Sequence, residues 1–261
     1  MSTGIEGSAR DRARRQFTSG PRRRQDAGGD RGESYVALVL RFARREPSAV
    51  LLAVQLGAVL LYPFMEDSDA GRALFSVVGI GVLGLVLLAV RSTPARTWFG
   101  VMLVVPATIL LLIQAVTGDD TLLPYSSALE AVLYFYAAVA LIAYMLEDHE
   151  ITRDELFAVG ATFTLGAWAF AYLYTVVQAI EPGSFTAAVD PTGDRSWMEL
   201  LFLSFTTLTS TGLSDVVPVK ASARSFVMVE QMAGLAYVAM VVSRLVALTV
   251  LGRPGMDRRE G

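Results

Sequence analysis

The segment best equipped for chemistry is Phe205-Thr206-Thr207-Leu208-Thr209-Ser210-Thr211-Gly212-Leu213-Ser214-Asp215, a run of small hydroxyl residues around one glycine. Hydroxyl and backbone carbonyl oxygens replace the hydration shell of a cation without adding formal charge. Gly212 allows the left-handed turn that aims successive carbonyls inward. Glu230 stands out next, as a carboxylate inside a long apolar run, where it is costly unless paired or facing water. It is expected to make a supporting hydrogen bond, with direct attraction of cations as the alternative. Glu130 is a further isolated carboxylate, read as reaching the interface or sitting protonated in a helix bundle. His149, the single histidine, lies in a charged loop and reads as solvated rather than metal-binding. Cysteine is absent, which excludes disulfides and thiolate sites. Paired carboxylates, Ser/Lys or Ser/His couples and phosphate-cradling loops are missing from the apolar segments, so no enzyme activity and no cofactor are expected.

The elements that position these residues follow from how the apolar content is distributed. Hydrophobic residues make up 53% of the chain and fall into blocks of about 17–25 residues, long enough to cross a hydrocarbon core. Spans are expected at Ser48–Phe64, Ala73–Val90, Trp98–Val116, Leu122–Met145, Asp154–Ile180 and Ser222–Leu251. Residues 1–33 form a basic tail without apolar periodicity, expected to be disordered. Residues 34–46 read as an amphipathic helix lying in the inner interface. The first 46 residues carry 11 of the 22 basic residues, and Arg91, Arg96, Arg253, Arg258 and Arg259 lie in loops of the same parity. The positive-inside rule puts both termini in the cytoplasm of a multi-pass protein of the plasma (inner) membrane, with 253–261 as a short cytoplasmic tail. The basic tail points to anionic membrane lipids as partners rather than nucleic acid.

Between the last two spans, Trp197–Leu208 is apolar and helix-compatible but reaches only about 18 Å, too short to cross. A helix that enters part-way and returns as irregular backbone is tolerated only where protein or a water-filled cavity surrounds it. The expected fold is therefore an all-α membrane protein of six transmembrane helices, with a re-entrant pore helix and loop between helices five and six.

Thr209-Ser210-Thr211-Gly212-Leu213-Ser214-Asp215, followed by Val217-Pro218 and a long helix, is similar to the Thr-Thr-Val-Gly-Tyr-Gly-Asp filter of the bacterial potassium-channel family. The resemblance covers about Asp154–Leu251 and implies a pore domain over 151–252. It also implies a homotetramer and potassium, a monovalent permeant ion, as the ligand. On it, the Ser210 hydroxyl and the carbonyls of Ser210, Thr211, Gly212 and Leu213 form oxygen layers, with Ser214 at the outer end. Thr206, Thr209, Trp197 and Glu230 support the filter, and Asp215 sits behind the outer mouth, bonding Trp197 or Thr206. Gly234 is a gating-hinge candidate, or else a packing contact. Two departures stand out. Leu213 replaces the usual aromatic. Ser214 replaces the second glycine, at a position where a side chain costs roughly 1–2 kcal/mol.

Those departures leave three readings open: a potassium-conducting channel, a weakly selective cation channel, and a non-conducting channel-like scaffold or auxiliary subunit. Voltage sensing is not expected, because the four-helix region 47–150 lacks a span with regularly spaced arginines and Leu122–Met145 contains none. A secondary transporter would show two matching interrupted spans, and one interruption is evident.

Overall fold

A computed structural model describes residues 46–64, 79, 81, 82, 84, 85, 94–117, 120–147 and 152–251. All of them belong to the second of the chain's two units, Ala43–Gly261. The expected basic tail, the amphipathic segment apart from Glu46, the C-terminal tail and most of the second span lie outside the described residues. Of that span, positions 79, 81, 82, 84 and 85 are described, and they are helical.

The described helices are α1 (Pro47–Leu61), which tightens into a 3-10 turn at Tyr62–Phe64, α2 (Pro94–Thr117), and α3 (Leu123–Glu147), entered through a 3-10 turn at Asp120–Leu122. They continue with α4 (Arg153–Ile180), α5 (Trp197–Leu208) and α6 (Ala221–Leu251). Pro47–Phe64, Leu123–Glu147, Arg153–Ile180 and Ala221–Ala247 are long and apolar enough to cross a membrane. The architecture is that of a mostly helical membrane protein. The apolar stretch of α2 is shorter, Trp98–Gln114, with Pro106 inside the helix. Short strands β1 (Phe185–Ala187) and β2 (Val216–Pro218) form an antiparallel ribbon that pairs Phe185 with Pro218 and Ala187 with Val216. Nothing in the hydropathy pattern points to that ribbon.

Helix α4 is the centre of the packing, with α1, α3, α5 and α6 all laid against it. Its start is well determined: the Thr152 hydroxyl accepts from the Glu155 amide, and Asp154 and Glu155 place negative charge in the first turn. Asp154 also serves a second helix, accepting from both the amide and the hydroxyl of Ser48 at 2.9 Å each. A first-turn amide of α1 is thereby satisfied by a carboxylate from α4. Further along, Gly160 lets α1 approach, since a Cβ there would come within 2.9 Å of Leu52.

Helix α6 is held differently. Its buried and half-buried positions include Ala223, Val227, Glu230, Gly234, Tyr237, Val241 and Arg244, alternately four and three residues apart, which is one narrow seam. Three of its members are polar anchors. Glu230 bonds α4 and α5, the Tyr237 hydroxyl donates to the Val159 carbonyl at 2.7 Å, and Arg244 pairs with Glu155 at 3.4 Å. The membrane-spanning window of α6 is 17% buried against 61% for α4, so most of its apolar surface faces away from this copy of the chain.

Replacing Asp154 by Ala strands a buried Ser48 amide, whereas Ser48→Ala removes only the hydroxyl bond. The expected losses of unfolding free energy are about 1–3 kcal/mol for Asp154→Ala and about 1 kcal/mol for Ser48→Ala, read from denaturation in detergent micelles. Equal losses would show that the amide contact contributes nothing.

Candidate functional site

The site is built on α5, twelve residues fixed at both ends. At its start, the Ser196 hydroxyl accepts from the Glu199 amide while the Glu199 carboxylate accepts from the Ser196 amide, a reciprocal capping box. Arg195, buried beside it, ties this end to its surroundings. Its guanidinium pairs with Glu199 at 3.1 Å and donates to the carbonyls of Gly193 and Asp190. Its backbone exchanges two hydrogen bonds with the Gln178 side chain near the end of α4. The Trp197 ring packs edge-on against Trp168 at 5.3 Å and beside Tyr172 at 5.5 Å.

The C-terminal end of α5 leads directly into the hydroxyl-rich run. The Thr211 amide bonds the Thr206 carbonyl at 3.0 Å and the Ser210 amide bonds the Thr207 carbonyl at 2.9 Å. This is the double closure of a Schellman motif, with Ser210 in the left-handed position that glycine usually fills. Its φ of 57° agrees. The Gly212 amide joins at 3.2 Å, so the Thr206 carbonyl receives two backbone amides. Thr209 bonds back to the Phe205 carbonyl through its hydroxyl at 2.7 Å, which lies 3.0 Å from the Thr211 hydroxyl.

Backbone handedness along the run is informative. Thr209 has φ −80°, Ser210 +57° and Gly212 +65°, while Thr211 and Leu213 are not among the positive-φ residues. The sign of φ therefore alternates between Thr209 and Leu213, and residues 211–214 are neither helix nor strand. The left-handed strain expected at Ser214 falls at Ser210 instead. The physical reason is that the end of α5 dictates the turn, whereas Ser214 is relieved by its own side chain, whose hydroxyl accepts from the Val216 amide at 3.1 Å.

The remaining site residues distribute as follows. Thr209, Ser210, Thr211, Gly212, Leu213 and Asp215 are exposed in a single copy, Leu213 at 76%, and Ser214 is half-buried. Asp215 was expected to bond Trp197 or Thr206; the Thr206 hydroxyl donates to the Leu203 carbonyl, while the Trp197 ring packs against Trp168 and Tyr172. Val216, immediately after Asp215, enters the β-ribbon, whose strand β2 packs against α5. Glu230 is fully buried, with Ser204 of α5 on one carboxyl oxygen and Tyr174 of α4 on the other. Gly234 passes so close to the end of α5 that a Cβ would lie 2.2 Å from the Leu208 carbonyl oxygen. That is a helix-packing contact. Sequence reasoning missed Tyr174, Ser204, Gln178 and Arg195, none of which belongs to a recognisable spacing.

Residues 160–250 match the protein-family model described as ion channel. The match takes in most of α4, the ribbon, α5, the hydroxyl-rich loop and nearly all of α6, and it supports an ion channel. No curated protein and no solved structure matches the chain.

Two substitutions test this local reading. Ser210→Gly removes the left-handed penalty and is expected to raise unfolding free energy by about 1 kcal/mol. Gly234→Ala is expected to lower it by about 1–3 kcal/mol, because backbone rather than a flexible side chain stands in the way. Both are read from thermal denaturation in lipid nanodiscs. A destabilising Ser210→Gly or a neutral Gly234→Ala would contradict the geometry.

Proposed function

We propose that the chain is one subunit of a cation channel in the plasma membrane, in which four copies surround a conduction pathway and the loop 209–215 supplies its selectivity filter. The observation that carries this proposal is the loop itself. It follows a helix too short to cross, has left-handed φ at Ser210 and Gly212, and is exposed in a single copy, in a segment matched by the ion-channel family. In this reading α4 is the outer helix, α5 the re-entrant pore helix and α6 the inner helix. The protein moves ions and catalyses no reaction.

The tetramer is supported by what one copy leaves uncovered. On α6, Phe226, Met228, Val229, Met232, Leu235, Val238 and Val242 are exposed, and the loop they flank is exposed too. A single copy provides one side of an ion path; symmetry-related copies provide the others. Both termini face the cytoplasm, and the basic N-terminal segment contacts anionic lipid.

Potassium is the permeant ion we favour, on the resemblance of Thr209–Asp215 to potassium-channel filters and on the use of carbonyl and hydroxyl oxygens instead of carboxylates. A second reading, weakly selective cation flow, is favoured by one observation. Positive φ occurs at 210 and 212 but not at 214, where the Ser214 hydroxyl makes a local turn instead. A carbonyl ladder that ends early leaves fewer sites at which potassium and sodium are told apart.

Purified protein in liposomes is expected to pass potassium faster than sodium, and Ser214→Gly is expected to raise that ratio by about tenfold, the equivalent of roughly 1.4 kcal/mol of added discrimination. Equal flux of both ions, sharpened by Ser214→Gly, would establish the weakly selective reading. Absence of flux from both folded proteins would leave a channel-like scaffold.

A further inference from the structure

Glu230 poses a problem of hydrogen counting. One carboxyl oxygen meets the Ser204 hydroxyl and the other meets the Tyr174 hydroxyl. The same Ser204 oxygen lies 2.9 Å from the Ala167 carbonyl of α4. Those are three oxygen–oxygen contacts. Serine and tyrosine bring one hydrogen each, while an ionised carboxylate and a carbonyl bring none. With Glu230 ionised, one contact is left without a hydrogen, or one serine hydrogen is split between two acceptors and both bonds weaken. Ion pairing offers no relief: among the described residues, the ion pairs are Arg195–Glu199 and Arg244–Glu155, and neither reaches Glu230. An unpaired charge at 0% exposure inside a membrane-spanning helix is a costly state.

We propose that Glu230 is held as a neutral carboxylic acid, which donates to Ser204 while Ser204 donates to the Ala167 carbonyl and Tyr174 donates to the other carboxyl oxygen. Three hydrogens then serve three contacts, and α4, α5 and α6 are joined at one point. Glu230 is in this sense a positioning residue. It lies one turn before Gly234 on α6, as Ser204 lies one turn before Leu208 on α5, so the acid and the Gly234–Leu208 contact together set where α5 ends. The end of α5 in turn sets the Thr206 carbonyl on which the 209–215 loop is hung. The acid thus fixes the loop from behind without placing a negative charge beside it. This deepens the channel proposal and rests on it only for the flux measurement below.

The experiment has two arms on the same full-length protein in lipid vesicles at neutral pH. In the infrared difference spectrum of wild type minus Glu230→Gln, the carbonyl stretching band of a protonated carboxylic acid is expected; a carboxylate band in its place would overturn the proposal. The comparison isolates Glu230 from the other buried carboxylates, among them Glu130, Asp154 and Glu155, which are common to both proteins. In the flux arm, Glu230→Ala is expected to lose about tenfold or more of the potassium flux and part of the potassium-over-sodium ratio. Glu230→Gln, whose amide donates to Ser204 and accepts from Tyr174, is expected to restore most of both. Flux from Glu230→Gln as low as from Glu230→Ala would overturn the proposal. A wild-type protein without flux would sink the channel reading, and the infrared band alone would then decide the protonation of Glu230.

Discussion

Backbone that leaves a helix must find new partners for the groups the helix no longer pairs, and the rest of this structure is arranged around the place where that happens. At the end of α5 the chain turns out of the helix at Ser210, and the Thr206 and Thr207 carbonyls, which would otherwise be orphaned, take up the amides of Ser210, Thr211 and Gly212. The turn costs a non-glycine residue a left-handed conformation. In return, the loop leaves with its amides occupied on the side of α5 and its other face uncovered. The same closure that satisfies the helix end therefore leaves residues 209–213 exposed in a single copy.

A turn of this kind is only as well placed as the helix that carries it. Position is imposed at both ends of α5 by groups from neighbouring helices: Gln178 of α4 on the Arg195 backbone at the start, and Glu230 and Gly234 of α6 near the end. Polar contacts do this work because dispersion alone allows helices to slide along an apolar seam, whereas a buried hydrogen bond fixes register. The β-ribbon completes the restraint, pairing Val216–Pro218 with Phe185–Ala187 so that the loop is anchored after Asp215 as well as before Thr209.

How much of this is legible in the sequence depends on the scale of the signal. Long apolar runs announce α1, α3, α4 and α6, whose ends lie within a few residues of the expected spans, because hydrocarbon thickness imposes length on composition. The hydroxyl run and the lone carboxylates Glu130 and Glu230 are conspicuous because polar groups are expensive in such surroundings. Their partners are not conspicuous. Tyr174 and Ser204 are ordinary residues at unremarkable spacing, brought to Glu230 only by the packing of three helices. Strain was expected at Ser214 from the resemblance to a filter with a second glycine there, but the end of the preceding helix, a more local constraint, places it at Ser210. Three-residue strands carry no periodicity to detect, which is why the ribbon was invisible.

The helices that precede the ion-channel match meet the start of α5 through an aromatic cluster. Tyr62, just beyond α1, lies 5.8 Å from Trp197, and Tyr134 of α3 stacks on Tyr172 at 5.5 Å and meets Trp168 at 5.7 Å. Glu130, buried one turn before Tyr134, shares a hydrogen bond with Tyr172. Trp197 is the first residue of α5, so a displacement of α1 or α3 is delivered to the start of the helix whose other end carries the loop. Aromatic rings suit that task, since each covers a large area with two torsions and resists compression. At the other end of α4, Asp154 grips α1 through Ser48 while Glu155 grips α6 through Arg244. The first helices therefore bear on the site twice, directly at the start of α5 and through α4 at the far end of α6.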